Sequence, residues 1–420
     1  MKKFYVTLIL AILCLSTSCS MSFTVNAQQT QSWPMFHGDP THTGYVNADG
    51  PSTNKTIWVF NTNGWVLSSP AVTNGVVYFT SSDKGYFHIS NNNIYAVNAK
   101  DGTKIWNYSV GAKIYTSPAV ADDRVFFGSD DHAIYALNAT TGAYIWKCIT
   151  RAEAEGTPMV SGSVVYAGSN DGKLYAFDAA LGMTIWNFTT GGYVTSSPAV
   201  VNGVVYFGSY DHNVYALDAL TGAEKWNFTT GSVVASSPVV ANGNVYVGSF
   251  DNNTYALNAG TGALVWKVST GYDQCVQASP AYANGIIYTG GAFDKKVHAL
   301  DATTGTEKWS YIMNEGLTTA PAVIGSTVYV TSTLGNTTYA LTSDTGHLVW
   351  TYQTGGNIYS SPAVVDGVTY FGSYDGNLYA VGQAINSSGT GTSYTIYYIA
   401  AIAILIVIIV VAIIMLRKRR

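Results

Sequence analysis

The chain runs to 420 residues with a formal net charge of −4, and only 10% of its residues are charged. No basic stripe stands outside the last four residues, which argues against nucleic acid as a partner. Of four cysteines, Cys14 and Cys19 precede the folded region, and Cys148 and Cys275 fall far apart within it, so no internal disulfide is expected.

The chain opens with Lys2-Lys3 and a short apolar run, and Val25-Asn26-Ala27 offers a small-residue cleavage site. Residues 1–27 therefore read as a signal peptide. An irregular lead-in follows from Trp33 to Gly44, expected to pack across the fold, and then a strand, Thr56-Ile-Trp58-Val-Phe60, with no partner nearby in sequence. From there the chain repeats. The stretch from Ser196 to Gly231 shows the unit: SSPAVV, VVYFGS, VYALDA and AEKWNFTT read as four strands, separated by Asn-Gly, Asp-containing and Thr-Gly turns. Trp106, Trp146, Trp186, Trp226, Trp266, Trp309 and Trp350 each close a unit, 40 to 43 residues apart. Pro70, Pro118, Pro158, Pro198, Pro238, Pro280, Pro321 and Pro362 each open one. Eight openings face seven closings, and Trp58 supplies the eighth. A four-stranded unit repeated at this period predicts an all-β fold, an eight-bladed β-propeller over residues 33–383 whose last blade takes its outer strand from the N-terminal segment.

The repeated positions predict their own roles. Small residues and proline suit the crowded, unpaired inner edge. The tryptophans suit flat contacts between blades, and the turn glycines suit positive φ. Departures from the repeat are more informative. Residues 81–93 lengthen one turn. The connectors after the second, fifth and sixth blades carry Arg151, Glu153 and Glu155, then Asp273 and Gln277, then Glu315. All of these lie where an outer strand crosses to the next inner one, which places them on one face near the channel mouth. Trp65, Tyr115, Tyr193, Tyr272 and Tyr359 are close by in sequence. Charges and aromatic rings around a concavity suit a protein loop or a polysaccharide.

Asp131, Asp171, Asp211, Asp251, Asp294 and Asp375 share one turn position. Such a ring of carboxylates would attract cations, but Asx side chains also cap their own turns, and regular repetition favours architecture. His132 and His212 share the next position, on blades too far apart to chelate together.

Residues 384–393 read as a flexible linker. Residues 394–416 are long and apolar enough for one transmembrane helix. The basic tail 417–420 should stay in the cytoplasm, leaving the propeller outside the cell. Candidate N-glycosylation sites agree with that address: Asn54, Asn107, Asn138, Asn187, Asn227, Asn252, Asn336 and Asn386 each begin an Asn-x-Ser/Thr triplet.

The run from Ala136 through Asn138 and Gly142 to Trp146 resembles the tryptophan-docking motif of the pyrroloquinoline-quinone (PQQ) quinoprotein family. It recurs in phase at Ala176–Trp186, Ala216–Trp226, Ala256–Trp266 and Ala299–Trp309, and the lead-in from Trp33 also looks like the start of such proteins. The resemblance implies an eight-bladed ring, as in quinoprotein dehydrogenases and in the lipoprotein scaffold of bacterial outer-membrane barrel assembly. For the dehydrogenases it further implies PQQ held against a pair of adjacent cysteines, with calcium-binding carboxylates and an aspartate base on long insertions. This chain has no Cys-Cys pair and no CxxCH haem site, and its blades are nearly minimal. No catalytic, cofactor or metal residue is therefore assigned. The expected function is a membrane-anchored cell-surface binding or scaffold protein for a protein or envelope-polymer partner. The alternatives are a PQQ-dependent oxidoreductase using calcium and a structural adhesin or surface-layer component.

Overall fold

The computed structural model describes residues 31–83, 92–271 and 278–383. The leader, the linker, the apolar segment 394–416 and the basic tail lie outside these residues, as does Asn386. No helix among the described residues is long and apolar enough to cross a membrane.

Eight antiparallel sheets follow one another around a closed ring. In blade four the strands are Ala199–Val201, Val204–Gly208, Asn213–Asp218 and Glu224–Thr229. Val, Tyr and Phe supply the pleated, buried faces. Asn202 and Gly203, at φ of 50° and 75°, make the tight first turn, a geometry that matches the twist of a hairpin. The inner strand is shorter than SSPAVV suggests. Only its last three residues join the ladder of the second strand, because Pro198 has no N–H to offer, Ser197 N–H turns to Ser237 of the next blade, and Ser196 meets the second strand only through its hydroxyl, which accepts from Gly208.

Thr56–Asn61 pairs antiparallel with Asn377–Gly382, placing Trp58 opposite Ala380. The eighth blade is thus built from both ends of the ring. A second closure runs around the channel. The Ser361 N–H donates to Ser69 Oγ at 3.0 Å, Ser69 N–H to Ser117 Oγ at 2.9 Å, and Ser117 N–H to Thr157 Oγ1 at 3.2 Å. Ser197, Ser237 and Ser279 continue the pattern at 2.9 Å. These hydroxyls satisfy backbone donors that have no strand partner at the inner edge.

Between blades, every closing tryptophan donates its indole N–H to a carbonyl of the next blade. Trp58 reaches Ala99, Trp106 Ala139, Trp146 Ala179, Trp186 Ala219, Trp226 Ala259, Trp266 Ala302, Trp309 Ser343 and Trp350 Pro51, all at 2.8–3.1 Å. In seven of the eight junctions the same carbonyl also accepts a tyrosine hydroxyl from the second strand, as with Tyr206 on Ala259 and Tyr370 on Ala99. The exception has Phe126 at the tyrosine's position, packed on Trp146. The rings lie over turn glycines in left-handed conformation, such as Gly222 beneath Trp186.

The connectors and second turns form one face, here the upper, and the first and third turns form the lower. The lead-in crosses the channel near the lower face. Its carbonyls accept the N–H of Val72, Val120, Val200, Val240, Tyr282 and Val323 in turn, from Trp33, Pro34, Pro40, Thr41, Thr43 and Gly44. Met35 joins the buried apolar cluster that runs through blades two to four, and Gln31 accepts from Asp366 of blade eight. Tyr45–Val46 then pairs parallel to Ala322–Ile324. Residues 31–46 therefore bond to seven of the eight blades and stopper the ring from below, with Trp33, Met35, His37 and His42 buried.

Candidate functional site

With the lower end stoppered, the upper mouth is the open concavity of the ring. Its repeated carboxylates are engaged by the fold. Asp131, Asp171, Asp211, Asp251 and Asp375 each accept the hydroxyl of a tyrosine four residues on, from Tyr135, Tyr175, Tyr215, Tyr255 and Tyr379. Four of them also accept a backbone N–H from the end of the preceding blade: Arg151 on Asp171, Gly191 on Asp211, Gly231 on Asp251 and Gly355 on Asp375, at 2.8–3.0 Å. Burial works against the charge on Asp211, but the bonds from Tyr215, Gly191 and Asn213 outweigh it and hold its carboxyl below the usual range. In blade six His298 takes the tyrosine's place, buried between Asp294 at 2.7 Å and Glu307 at 2.5 Å. Burial opposes its charge, yet the two carboxylates raise its pKa. Nothing in the repeat announces this substitution except the histidine in KVHAL, where the other blades carry Tyr-Ala.

Of the six residues expected at a partner surface, Arg151 is exposed and Glu153, Glu155 and Glu315 are half-buried. Asp273 and Gln277 lie outside the described residues, with Tyr272. The four described residues share the upper face but not one cluster. Glu315 pairs with Lys295 at 3.0 Å, while Glu153 and Glu155 belong to the connector between blades two and three. Glu153 lies 3.9 Å from His132, both half exposed, a separation that contributes little to stability. His132 and His212 both adopt left-handed φ, of 65° and 77°.

Asp130 joins the acidic sector and was not singled out in the sequence. Burial, together with Glu155 and Glu153, pushes its pKa up to about 7. Beside it, Lys113 lies 5.8 Å from the ring centre of Tyr115. The expected aromatic residues meet partners that sequence reading passed over. Trp65 lies against Tyr374 at 4.7 Å between ring centres, Tyr359 against Tyr374 at 5.0 Å, and Tyr193 against Tyr210 at 5.6 Å. Tyr374 and Tyr210 precede the turn aspartates of their blades, where blades two and three carry Asp130 and Asn170. That alternation of residue type at one repeat position was the available signal.

Each turn carboxylate is engaged by the fold as above, although the buried Oδ1 of Asp131 has no partner. Cys148 lies on an outer strand with Sγ against the Gly182 carbonyl, away from the mouth. Among the described residues, no group of three or more His, Cys, Asp and Glu is placed to hold a metal. Of the candidate glycan acceptors, Asn54, Asn107, Asn187 and Asn227 are exposed, and Asn252 is half-buried in a turn at left-handed φ. Asn138 caps a turn through Thr141, and Asn336 is half-buried.

Comparison with known proteins places the ring among two kinds of protein. BamB from Moraxella catarrhalis superposes with a TM-score of 0.66 at 20% identity, covering 78% of this chain and 97% of its own. A europium-containing methanol dehydrogenase superposes with a TM-score of 0.70 at 14% identity, covering 84% and 98%. At these identities the likeness is one of fold. A quinoprotein ethanol dehydrogenase of Pseudomonas putida is 31% identical over 77 residues, 18% of this chain and 11% of that protein, so the match spans about a tenth of its length. The family model described as outer membrane protein assembly factor BamB, a PQQ-like repeat, matches residues 90–195, 174–312 and 293–388. Eight docked tryptophans, the shared ring and a match over most of its length show that this chain belongs to the PQQ-like β-propeller repeat family represented by BamB.

Proposed function

We propose that this chain is a membrane-tethered propeller that holds a protein or polymer of the cell envelope at its upper mouth, without quinone chemistry. The observation that carries this reading is the division of labour in the ring. The repeated aspartates, tyrosines and tryptophans are engaged in joining blades, and the lower end is stoppered. The irregular connectors of the upper face carry the side chains that joining blades does not require.

Topology supports the orientation. The strand Asn377–Gly382 runs down to the lower face, where Gln383 N–H donates to the Gly367 carbonyl of a first turn. A linker over 384–393 and a span over 394–416 would then leave from the lower face, turning the mouth away from the membrane. Glycans on the exposed rim asparagines Asn187 and Asn227 would leave that mouth clear.

The test uses the full-length chain in its native envelope. Glu153→Arg with Glu155→Arg should reduce recovery of cross-linked envelope partners, whereas Lys225→Glu on the rim should not. Equal recovery from both would contradict the reading. PQQ and calcium added to the purified chain should give neither bound-quinone absorbance nor dye reduction, and either signal would replace this reading with an oxidoreductase.

A further inference from the structure

At the upper mouth the blades share a backbone pattern and differ in side chains. The residue before the turn aspartate donates its N–H to a connector carbonyl in each of five blades: Asp130 to Lys113, Asn170 to Glu153, Tyr210 to Tyr193, Phe250 to Val233 and Tyr374 to Asn357, at 2.8–2.9 Å. Since Asp, Asn, Tyr and Phe all serve, the fold does not require an aromatic ring at this position. The rings present there are additional to the architecture.

Their hydroxyls tell the same story. Tyrosines inside the blades donate to aspartates or to carbonyls of the next blade. Those of Tyr115, Tyr193, Tyr359 and Tyr374 have no hydrogen-bond partner among the described residues, and Tyr115, Tyr193 and Tyr359 are 38%, 53% and 41% exposed. Trp65, Tyr374 and Tyr359 form one continuous cluster of rings, tilted against one another at 33° and 48°. At two of these rings the backbone is already paired: Trp65 exchanges both bonds with Ser82, and Tyr374 donates to Asn357. A peptide strand would find no free main-chain edge at Trp65 and no free N–H at Tyr374.

We infer that the Trp65–Tyr374–Tyr359 cluster is a subsite for an uncharged oligosaccharide, an inference that rests on the proposed role of the mouth in holding an envelope partner. Sugar rings present faces of C–H groups that lie on aromatic rings and edges of hydroxyls that pair with phenols, which is the combination exposed here. The acidic sector of Asp130, Glu153 and Glu155 on the same face disfavours polyanions such as uronate or phosphate polymers. That charge distribution narrows the ligand to neutral hexose or N-acetylhexosamine chains.

The test is a tryptophan-fluorescence and calorimetric titration of the full-length chain in a polyoxyethylene detergent, which carries no sugar headgroup. The probes are chitohexaose, cellohexaose and mannohexaose, with polygalacturonate as the polyanion. At least one neutral hexasaccharide should bind. Tyr359→Ala and Tyr374→Ala should each weaken it at least tenfold at unchanged melting temperature, Tyr359→Phe less so, and the rim change Tyr144→Ala not at all. Failure of all three hexasaccharides, binding that survives both alanine substitutions, or tighter binding of polygalacturonate would each overturn the inference. If the hexasaccharides fail while cross-linked partners still depend on Glu153 and Glu155, the saccharide inference falls and the role of the mouth stands.

Discussion

The backbone N–H of Ser361 donates to Oγ of Ser69 at 3.0 Å, across 292 positions of sequence, both residues buried at the channel wall. This bond joins the last blade to the first at the inner edge, as Thr56–Asn61 joins them at the outer one. Ser69→Ala would leave the Ser361 N–H buried without an acceptor, at a cost of about 1–3 kcal/mol. Thermal unfolding should show a melting point lower by a few degrees, and Ser237→Ala should do the same by stranding Ser197. A melting point unchanged in both would mean that water replaces the hydroxyls.

Gly222 and Gly203 separate two costs that glycine avoids. Both have left-handed φ, of 71° and 75°, but a Cβ on Gly222 would meet the Trp186 ring at 2.7 Å, whereas one on Gly203 meets nothing within 4 Å. Gly203→Ala should cost about 1 kcal/mol, the conformational part alone. Gly222→Ala should cost on the order of 2–4 kcal/mol, because the tryptophan must also leave its seat. Denaturant melts of the two variants decide the matter.

Much of this ring was legible in the sequence because its joints repeat. The tryptophan spacing gave the blade count, and the surplus of prolines over closing tryptophans placed Trp58 in the last blade. The stopper was legible only as an irregular stretch. Its bonds from Pro34, Thr41 and Gly44 are made by backbone carbonyls, which every residue carries, so side-chain pattern could not reveal them. The inter-blade tyrosines were hidden for a related reason. In VVYFG the tyrosine reads as a strand former, and only the next blade's position shows where its hydroxyl goes. At the mouth, Glu153 and Glu155 stood out as charges in an uncharged repeat, but Tyr374 and Asp130 sat inside the repeat's own frame and passed as turn residues.

The acidic sector gives the mouth a pH signature. Asp130 has its pKa raised to about 7 by burial and by Glu155 and Glu153, so the folded state holds its proton more tightly than the unfolded chain does. The associated stability is present below pH 4 and is lost as pH rises through about 7. Asp130→Asn should therefore flatten the fall in melting temperature between pH 4 and 8. A parallel fall in both proteins would assign it to another group.

The stopper responds with the opposite sign. Burial lowers His37 to about 4 and His42 to about 3, with the neighbouring imidazole adding to the effect at His42. These groups bind fewer protons folded than unfolded, so their stability is present above pH 6.5 and is lost as pH falls toward 4. His37 sits at φ 58° and its Nδ1–H donates to the His42 carbonyl at 2.7 Å. His37→Asn keeps a donor and tolerates that φ while removing the titration. Urea unfolding at pH 4.5 should be less severe in the variant than in the parent, with little difference at pH 7.5.

Closure of the ring by its N-terminal strand underlies the mouth and every role assigned to it. Asn61 and Asn377 stand opposite each other across that last pairing, their side chains joined at 2.8 Å. Asn61→Cys with Asn377→Cys, in a background of Cys148→Ser and Cys275→Ser, should form a disulfide under mild oxidation and run as a compact monomer on a non-reducing gel. The link closes a loop of 316 positions and should raise the melting point. Thiols that stay free under oxidation, with mobility unchanged by reduction, would contradict the closed ring.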